Sequence, residues 1–227
     1  MRHATAFRLT ALIQSACLAA LLAACAGPLP DKPQRPDSYD LGLPAAAASA
    51  APQTPAQAPL PPLALPPVTA PAALDGMAML YRLAYQGEPA SQLRPYAQAR
   101  WSMSAPELLT QRLRETLAAS RPVVAAGEGL AALELRVHLD DFSQIFEAEN
   151  RSHARIQIRA TLIAPRASQR LLGQRTFIVQ RPAPTPDAAG GAQAMREAAD
   201  AAIADMAAWL ASPSLAIPAA PGHPREP

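Results

Sequence analysis

Leu133-Glu134-Leu135-Arg136-Val137-His138-Leu139-Asp140 alternates apolar and polar side chains without a break. A period of two places successive side chains on opposite faces of a β-strand. Leu133, Leu135, Val137 and Leu139 are then expected to face a core, with Glu134, Arg136, His138 and Asp140 facing water. Such half-buried strands suit an antiparallel sheet. Downstream, the charged run from Glu147 to His153 reads as a turn. Ala154, Ile156, Ile158, Ala160 and Leu162 then alternate with Arg155, Gln157, Arg159 and Thr161. After a turn at Pro165 to Gln169, Leu171 to Gln180 forms the next strand. Three consecutive strands with short connections predict a meander.

Upstream lies the clearest helix signal. Ser104 and Glu107 have capping-box spacing, Pro106 stands in the first turn, and Leu109, Leu113 and Leu117 follow at steps of four. Arg112, Arg114 and Glu115 are expected elsewhere on the cylinder, and the helix ends near Ser120 before Pro122. Met79 to Tyr85 and Leu93 to Trp101 read as strands, and Tyr39 to Gly42 as a short one. Leu63 to Val68 is strand-like, with Pro66 and Pro67 confining it to an edge. A second helix runs from about Gly191 to Ser212, with Met195, Ala199, Ala202, Met206 and Trp209 along one stripe. The expected fold class is α+β: an antiparallel sheet with two helices packed on one face, flanked by disordered Pro/Ala-rich segments.

The N-terminus carries a different message. Arg2 and Arg8 precede an apolar run from Leu9 to Leu22, followed by Ala23, Ala24 and Cys25. This is the order of an export signal, too short for a comfortable membrane span. The small residues and the cysteine resemble a bacterial lipobox. That likeness implies cleavage between Ala24 and Cys25, with diacylglycerol on the thiol and an N-acyl chain on the new amine. Ala26, where an aspartate would favour inner-membrane retention, points by the same likeness to the outer membrane. Expected boundaries are a signal at 1–24, a lipidated tether at 25–36, an α+β domain at 37–212 and a disordered tail at 213–227. Residues 44–62 form a disordered Ala/Pro insertion in the domain.

Composition excludes several functions. The 227 residues carry 20 basic and 18 acidic groups, and Arg2 and Arg8 leave with the signal. The balanced body that is left does not suit nucleic acid. The two cysteines are Cys17, removed with the signal, and Cys25, consumed by lipid, which leaves no thiol for a disulfide, zinc or nucleophile. No nucleophile elbow, zinc-protease motif or phosphate loop occurs, so the protein is expected not to be an enzyme and to hold no metal and no cofactor beyond the lipid on Cys25. His138, Asp140 and Asp141, with His153 across the turn, form the best catalytic-looking set, but a solvated sheet face accounts for them. Tyr96 and Trp101 suit either a partner or the core, and their scarcity favours the core. Phe142 and Phe146 lie where the strand pattern ends; they fit a buried sheet edge or, as the sharper reading, an exposed lipid or partner contact. Arg151, Arg155 and Arg159 could meet anionic groups, although a solvated face suffices.

One ordered series of short motifs runs through the body. It comprises Tyr39-Asp40-Leu41-Gly42, Val68 to Pro71, Leu74-Asp75-Gly76, Leu80-Tyr81-Arg82, Tyr96, Arg100-Trp101, Pro106, Leu109 and Arg112-Leu113. With the lipobox, this series resembles the ABC-type transport auxiliary lipoproteins, the family of the paraquat-inducible protein C type. The resemblance spans Tyr39 to about Phe146. It implies a lipoprotein on the periplasmic face of the outer membrane. The implied partners are a periplasmic mammalian-cell-entry (MCE) domain protein and inner-membrane transporter subunits that move lipid between membranes. It marks Tyr39, Leu41, Gly42, Asp75, Gly76, Tyr81, Arg82, Tyr96, Arg100 and Trp101 as structural or partner residues. A homo-oligomeric ring is a further expectation. The long insertion and the Pro-rich tail depart from the family pattern. A binding lipoprotein that supports envelope assembly or secretion is the alternative.

Overall fold

The strand Leu133–Ala148 is the longest among the described residues and forms the spine of the sheet. The computed structural model describes residues 35–43, 60–87, 91–165 and 170–212. In chain order the strands are β1 Asp37–Tyr39, β2 Leu63–Ala64, β3 Ala78–Leu83, β4 Arg94–Trp101, β5 Val123–Val124, β6 Leu133–Ala148, β7 Arg151–Ala164 and β8 Arg170–Pro182. The helices are α1 Ala105–Ala118, between β4 and β5, and α2 Ala188–Leu210, after β8. The expected signal, most of the expected tether, most of the 44–62 insertion and the 213–227 tail lie outside the described residues, as do Ala24 and Cys25.

The meander is present: β6, β7 and β8 pair antiparallel along nearly their whole lengths. The connection between β6 and β7 is tighter than Glu147 to His153, because the strands run to Ala148 and from Arg151. The other edge of β6 is built differently. The segment from β2 to β3 runs parallel to it, pairing Leu63 with Leu133, Thr69 with His138 and Tyr81 with Gln144. β4 turns back antiparallel to β3, and β1 joins β4 in parallel. The α+β class holds, and the sheet is mixed. β2 is not an edge strand, for β5 and β6 flank it on both sides. Pro66 and Pro67 follow its last paired residue, so their missing N–H groups cost no ladder bond.

Inside β6 the register slips twice, near the hairpin between Phe146 and Ala148 and in mid-strand between Leu139 and Asp141. The extra residue, Asp140, is a β-bulge that exchanges the two faces. Before it, Leu135, Val137 and Leu139 point inward; after it, Phe142, Gln144 and Phe146 do. The bulge is why the alternation stops at Asp140 although the strand does not.

One face of the sheet is covered. α2 lays Met195, Ala198, Ala199, Ala202 and Met206 against the inward residues of β7 and β8, and its alanines permit close approach. α1 buries Leu109, Leu113 and Leu117 in the same core. Its capping box forms as expected, the N–H and Oγ–H of Ser104 both donating to Glu107 Oε2 at 3.0 and 2.8 Å. Thr110 fastens α1 to the strand layer. It accepts from Val68 N–H at 2.8 Å and donates to Pro106 O at 2.7 Å.

Candidate functional site

Three polar arrangements stand out on this scaffold. The first is the junction of β1, α1 and α2. Arg112 is among the most buried charged residues, 2% exposed. Its Nη2 donates to the carbonyls of Leu41 and Gly42, and its Nε lies 3.4 Å from Asp200 on α2. The guanidinium thus holds the chain leaving β1 against both helices. Gly42 turns there with φ +64, a conformation side chains disfavour, and Arg196 passes 3.4 Å from where its Cβ would stand. Burial raises the Asp200 carboxyl above its ordinary range in spite of Arg112 and Arg196, with Glu197 adding to the rise. Desolvation therefore outweighs the ion pair at that group. A shallow cleft of about 230 Å³ opens beside the junction, lined by Asp40, Ser102, Gln111, Arg112 and Glu115 among others. The sequence puts Arg112 elsewhere on the cylinder than the Leu109-Leu113-Leu117 stripe, yet it is buried. The signal that places it inside is its step of four from Leu108, which is also buried.

The second arrangement surrounds Gln144, fully buried on β6. Tyr96 Oη–H donates to its Oε1 at 2.9 Å. Its Nε2 donates to Ser152 Oγ at 2.8 Å and to Asp187 O at 3.2 Å. One amide therefore joins β4, β6, β7 and the N-cap of α2. Burial, then Tyr81 and Asp187, push the Tyr96 phenol well above its ordinary range, which keeps it a donor. Tyr81 packs on Tyr96 at 4.7 Å and on Phe146 at 5.8 Å. The helix start reaches the amide because residue 191 is glycine: a Cβ there would stand 1.9 Å from Gln144 Oε1.

The third is the other face of the meander, which neither helix covers. Here lie the candidates weighed for chemistry. His138 lies 3.6 Å from Asp140 and 2.9 Å from Thr69 Oγ1, while Asp140 also meets Arg159 at 2.9 Å. Asp141 pairs with Arg155 at 3.1 Å. His153 Nδ1 lies 3.1 Å from Glu147, which also pairs with Arg151 at 2.8 Å. His138 faces Arg159 across the ladder, six residues along β7 from His153. The two histidines are therefore roughly 20 Å apart, too far to share one metal. Among the described residues, no group of three or more His, Cys, Asp or Glu is placed to hold a metal ion.

Half of the family-motif residues belong to the first two arrangements. Tyr39, Leu41 and Gly42 stand at the Arg112 junction; Tyr81 and Tyr96 belong to the Gln144 cluster. Trp101 is buried against Phe142, their rings 5.2 Å apart. Arg82 donates to Ser91 O at 2.9 Å. Asp75, Gly76 and Arg100 are exposed, the first two in the turn before β3. Phe142 and Phe146 are not an exposed contact, because the bulge turns both inward. Sequence reasoning missed Gln144 and Asp200. The tyrosine, serine and cap that share Gln144 are distant in sequence, so no local pattern marked it.

The family model for the ABC-type transport auxiliary lipoprotein component matches residues 39–207, which spans β1 to α2. The chain belongs to that family. Two crystal structures share the fold of this auxiliary lipoprotein. One is of a Xanthomonas campestris protein assigned to family DUF330, with a TM-score of 0.62 and 21% identity over 76% of this chain and 93% of that one. The other is of an uncharacterized protein, with a TM-score of 0.61 and 14% identity over 78% of this chain and 100% of that one. No curated protein matches the chain. Among the described residues, no helix of the auxiliary lipoprotein is long and apolar enough to cross a membrane.

Proposed function

We propose that this chain is a non-catalytic auxiliary subunit of an intermembrane lipid transport system, anchored to the outer membrane and docking the periplasmic MCE component. The observation that carries the reading is the family match, which covers nearly the whole sheet-and-helix body. The physical features agree with it. Cys25 follows an export signal with lipobox spacing and precedes Ala26. Stable anchoring takes more than one acyl chain, which a triacylated cysteine supplies. The described carboxylates of the open face lie against arginine or histidine side chains, an arrangement suited to a surface more than to proton transfer. Inner-membrane transporter subunits complete the system, and several copies of the auxiliary subunit form a ring around the MCE assembly.

Affinity purification from membranes tests the reading. The expected result is co-purification with the co-encoded MCE and transporter subunits. Membranes in which the lipoprotein associates with no MCE protein sink it. Light scattering of the purified protein checks the ring, and a monomer removes that part alone.

A further inference from the structure

Among the described residues, β8 pairs with β7 and with no other strand, so its far side is an edge of the sheet. Ala183 N–H donates to Ser152 O at 2.9 Å, which fixes the phase of the ladder. Along an antiparallel pair the inter-strand bonds alternate, so Arg175, Phe177, Val179 and Arg181 turn their main-chain groups toward β7. Gln174, Thr176, Ile178 and Gln180 turn theirs outward. Pro182, which has no N–H to offer, falls in the same outward set. Of the outward groups, the Gln180 carbonyl accepts from Arg181 Nη1 at 2.9 Å. The edge is thus a row of main-chain donors and acceptors on which another strand can add.

The side chains along this row are uneven in charge. Arg175, Phe177, Val179 and Arg181 stand on the side of β8 that carries α2, because they pair with the inward residues Ala160, Ile158, Ile156 and Ala154. Arg175 lies over the Phe177 ring at 5.2 Å, and that ring meets Trp209 edge-on at 6.0 Å. Arg175, Asp205, Ala208 and Trp209 line an open cleft of about 460 Å³ beside the strand. On the opposite side, Ile178 is 54% exposed among Gln174, Thr176 and Gln180. The strand holds three arginines and no acidic residue. Among the described residues, neither Arg175 nor Arg181 forms an ion pair. The nearby carboxylates do not change that sign: Asp205 lies on the α2 wall of the cleft, Asp187 caps α2, and Asp140 and Asp141 are held by Arg159 and Arg155.

Two copies of this edge do not suit each other. The antiparallel self-pairing that uses all four helix-side residues sets Arg175 opposite Arg181 at both ends, and like charges directly opposite are destabilising. An acidic strand meets the opposite sign. We propose that the outer edge of β8 receives an extended segment of a partner protein, antiparallel to β8, with acidic side chains opposite Arg175 and Arg181 and apolar ones opposite Phe177 and Val179. The residue opposite Phe177 enters the cleft beside Trp209. These four positions form the closely spaced, non-hydrogen-bonded pairs of the new ladder, where side chains interact most. Main-chain bonds to Thr176, Ile178 and Gln180 supply affinity, and the acidic-apolar-apolar-acidic alternation supplies specificity. As a docking site this edge rests on the reading proposed above, for which it names the chemistry of the partner segment.

Fluorescence anisotropy of two labelled peptides against the full-length protein in detergent tests it. One peptide is Glu-Thr-Val-Thr-Val-Thr-Glu, and the other has lysine in place of both glutamates. The expected result is roughly tenfold tighter binding of the acidic peptide, and the reverse preference in the Arg175→Glu/Arg181→Glu variant. Ile178→Pro removes an outward N–H without touching the β7 ladder, and is expected to abolish binding while the circular dichroism spectrum stays unchanged. Equal affinity for the two peptides, an unreversed preference in the double variant, or retained binding by folded Ile178→Pro overturns the proposal. If Ile178→Pro does not fold, the charge reversal decides alone. Binding of neither peptide also overturns it, and self-association that Ile178→Pro then abolishes gives the edge to a second copy. Co-purification from membranes separates the two readings. Peptide failure beside intact co-purification with an MCE protein overturns the edge alone, whereas peptide binding without co-purification overturns the docking reading and leaves the edge standing.

Discussion

Gly191 and Arg112 each let distant parts of the chain meet. At Gly191 the constraint is space: a methyl group would collide with the Gln144 amide 1.9 Å away and come within 3.0 Å of Met79 Cε. Overpacking of a filled core costs about 1–3 kcal/mol. Gly191→Ala is therefore expected to lose that much stability in urea denaturation, although alanine favours a helix. Gly76→Ala, with nothing within 4 Å of its Cβ, is the control and should stay within about 0.5 kcal/mol of the parent. Equal effects of the two would mean that the amide moves aside. At Arg112 the constraint is hydrogen bonding. Arg112→Ala strands two carbonyls, at Leu41 and Gly42, and removes the partner of Asp200. A loss of about 2–3 kcal/mol is expected. Asp200→Asn should cost less than half of that, because burial already raises the Asp200 carboxyl and the guanidinium keeps both carbonyls. The sign is opposite to that of a stabilised carboxylate. A raised value means that the ionised form disfavours folding above the ordinary aspartate range, and the penalty disappears as pH falls. Equal losses in the two variants would place the energy in the ion pair.

At the level of elements, what the sequence revealed depended on how local the signal was. The α1 cap, the Leu109-Leu113-Leu117 stripe and the alternation along β7 are patterns within one segment, and each has the structure expected of it. The bulge at Asp140 is not such a pattern. One inserted residue ends the readable alternation, so the pattern leaves Phe142 and Phe146 open between a buried sheet edge and an exposed contact, and their burial decides for the first. Parallel pairing of β2 and β3 with β6 joins segments more than 60 residues apart, and no local periodicity encodes it. The helix starts carry a pH signature. Two hydrogen bonds from Ser104 hold the Glu107 carboxyl below its ordinary range, and Gly190 N–H, then Thr185, do the same for Asp187. A depressed carboxylate stabilises the fold above its unfolded value, about 4 for these groups, and the benefit is lost as pH falls through the folded value. Ser104→Ala should lower the urea midpoint at neutral pH, with a smaller difference at about pH 3. A gap that stays constant with pH would show that the hydroxyl acts without the carboxylate.

For the whole molecule, the question is what the proposed anchor at Cys25 contributes beyond retention. The described core residues all lie in β1 or beyond it, at least twelve residues after Cys25. Cys25→Ser should therefore leave the unfolding transition of the body unchanged while moving the protein from the membrane pellet to the supernatant. Anchoring acts on concentration: a subunit held at one surface meets a partner at the same surface at an effective concentration set by its tether, with no new contact. The variant is then expected to bind a purified MCE partner in detergent with an affinity within about threefold of the acylated protein, yet to lose co-purification from membranes. A large drop in the detergent affinity would mean that acyl chains take part in the interface. Unchanged membrane co-purification by Cys25→Ser would mean that protein contacts alone hold the subunit, and that the lipid is dispensable for docking.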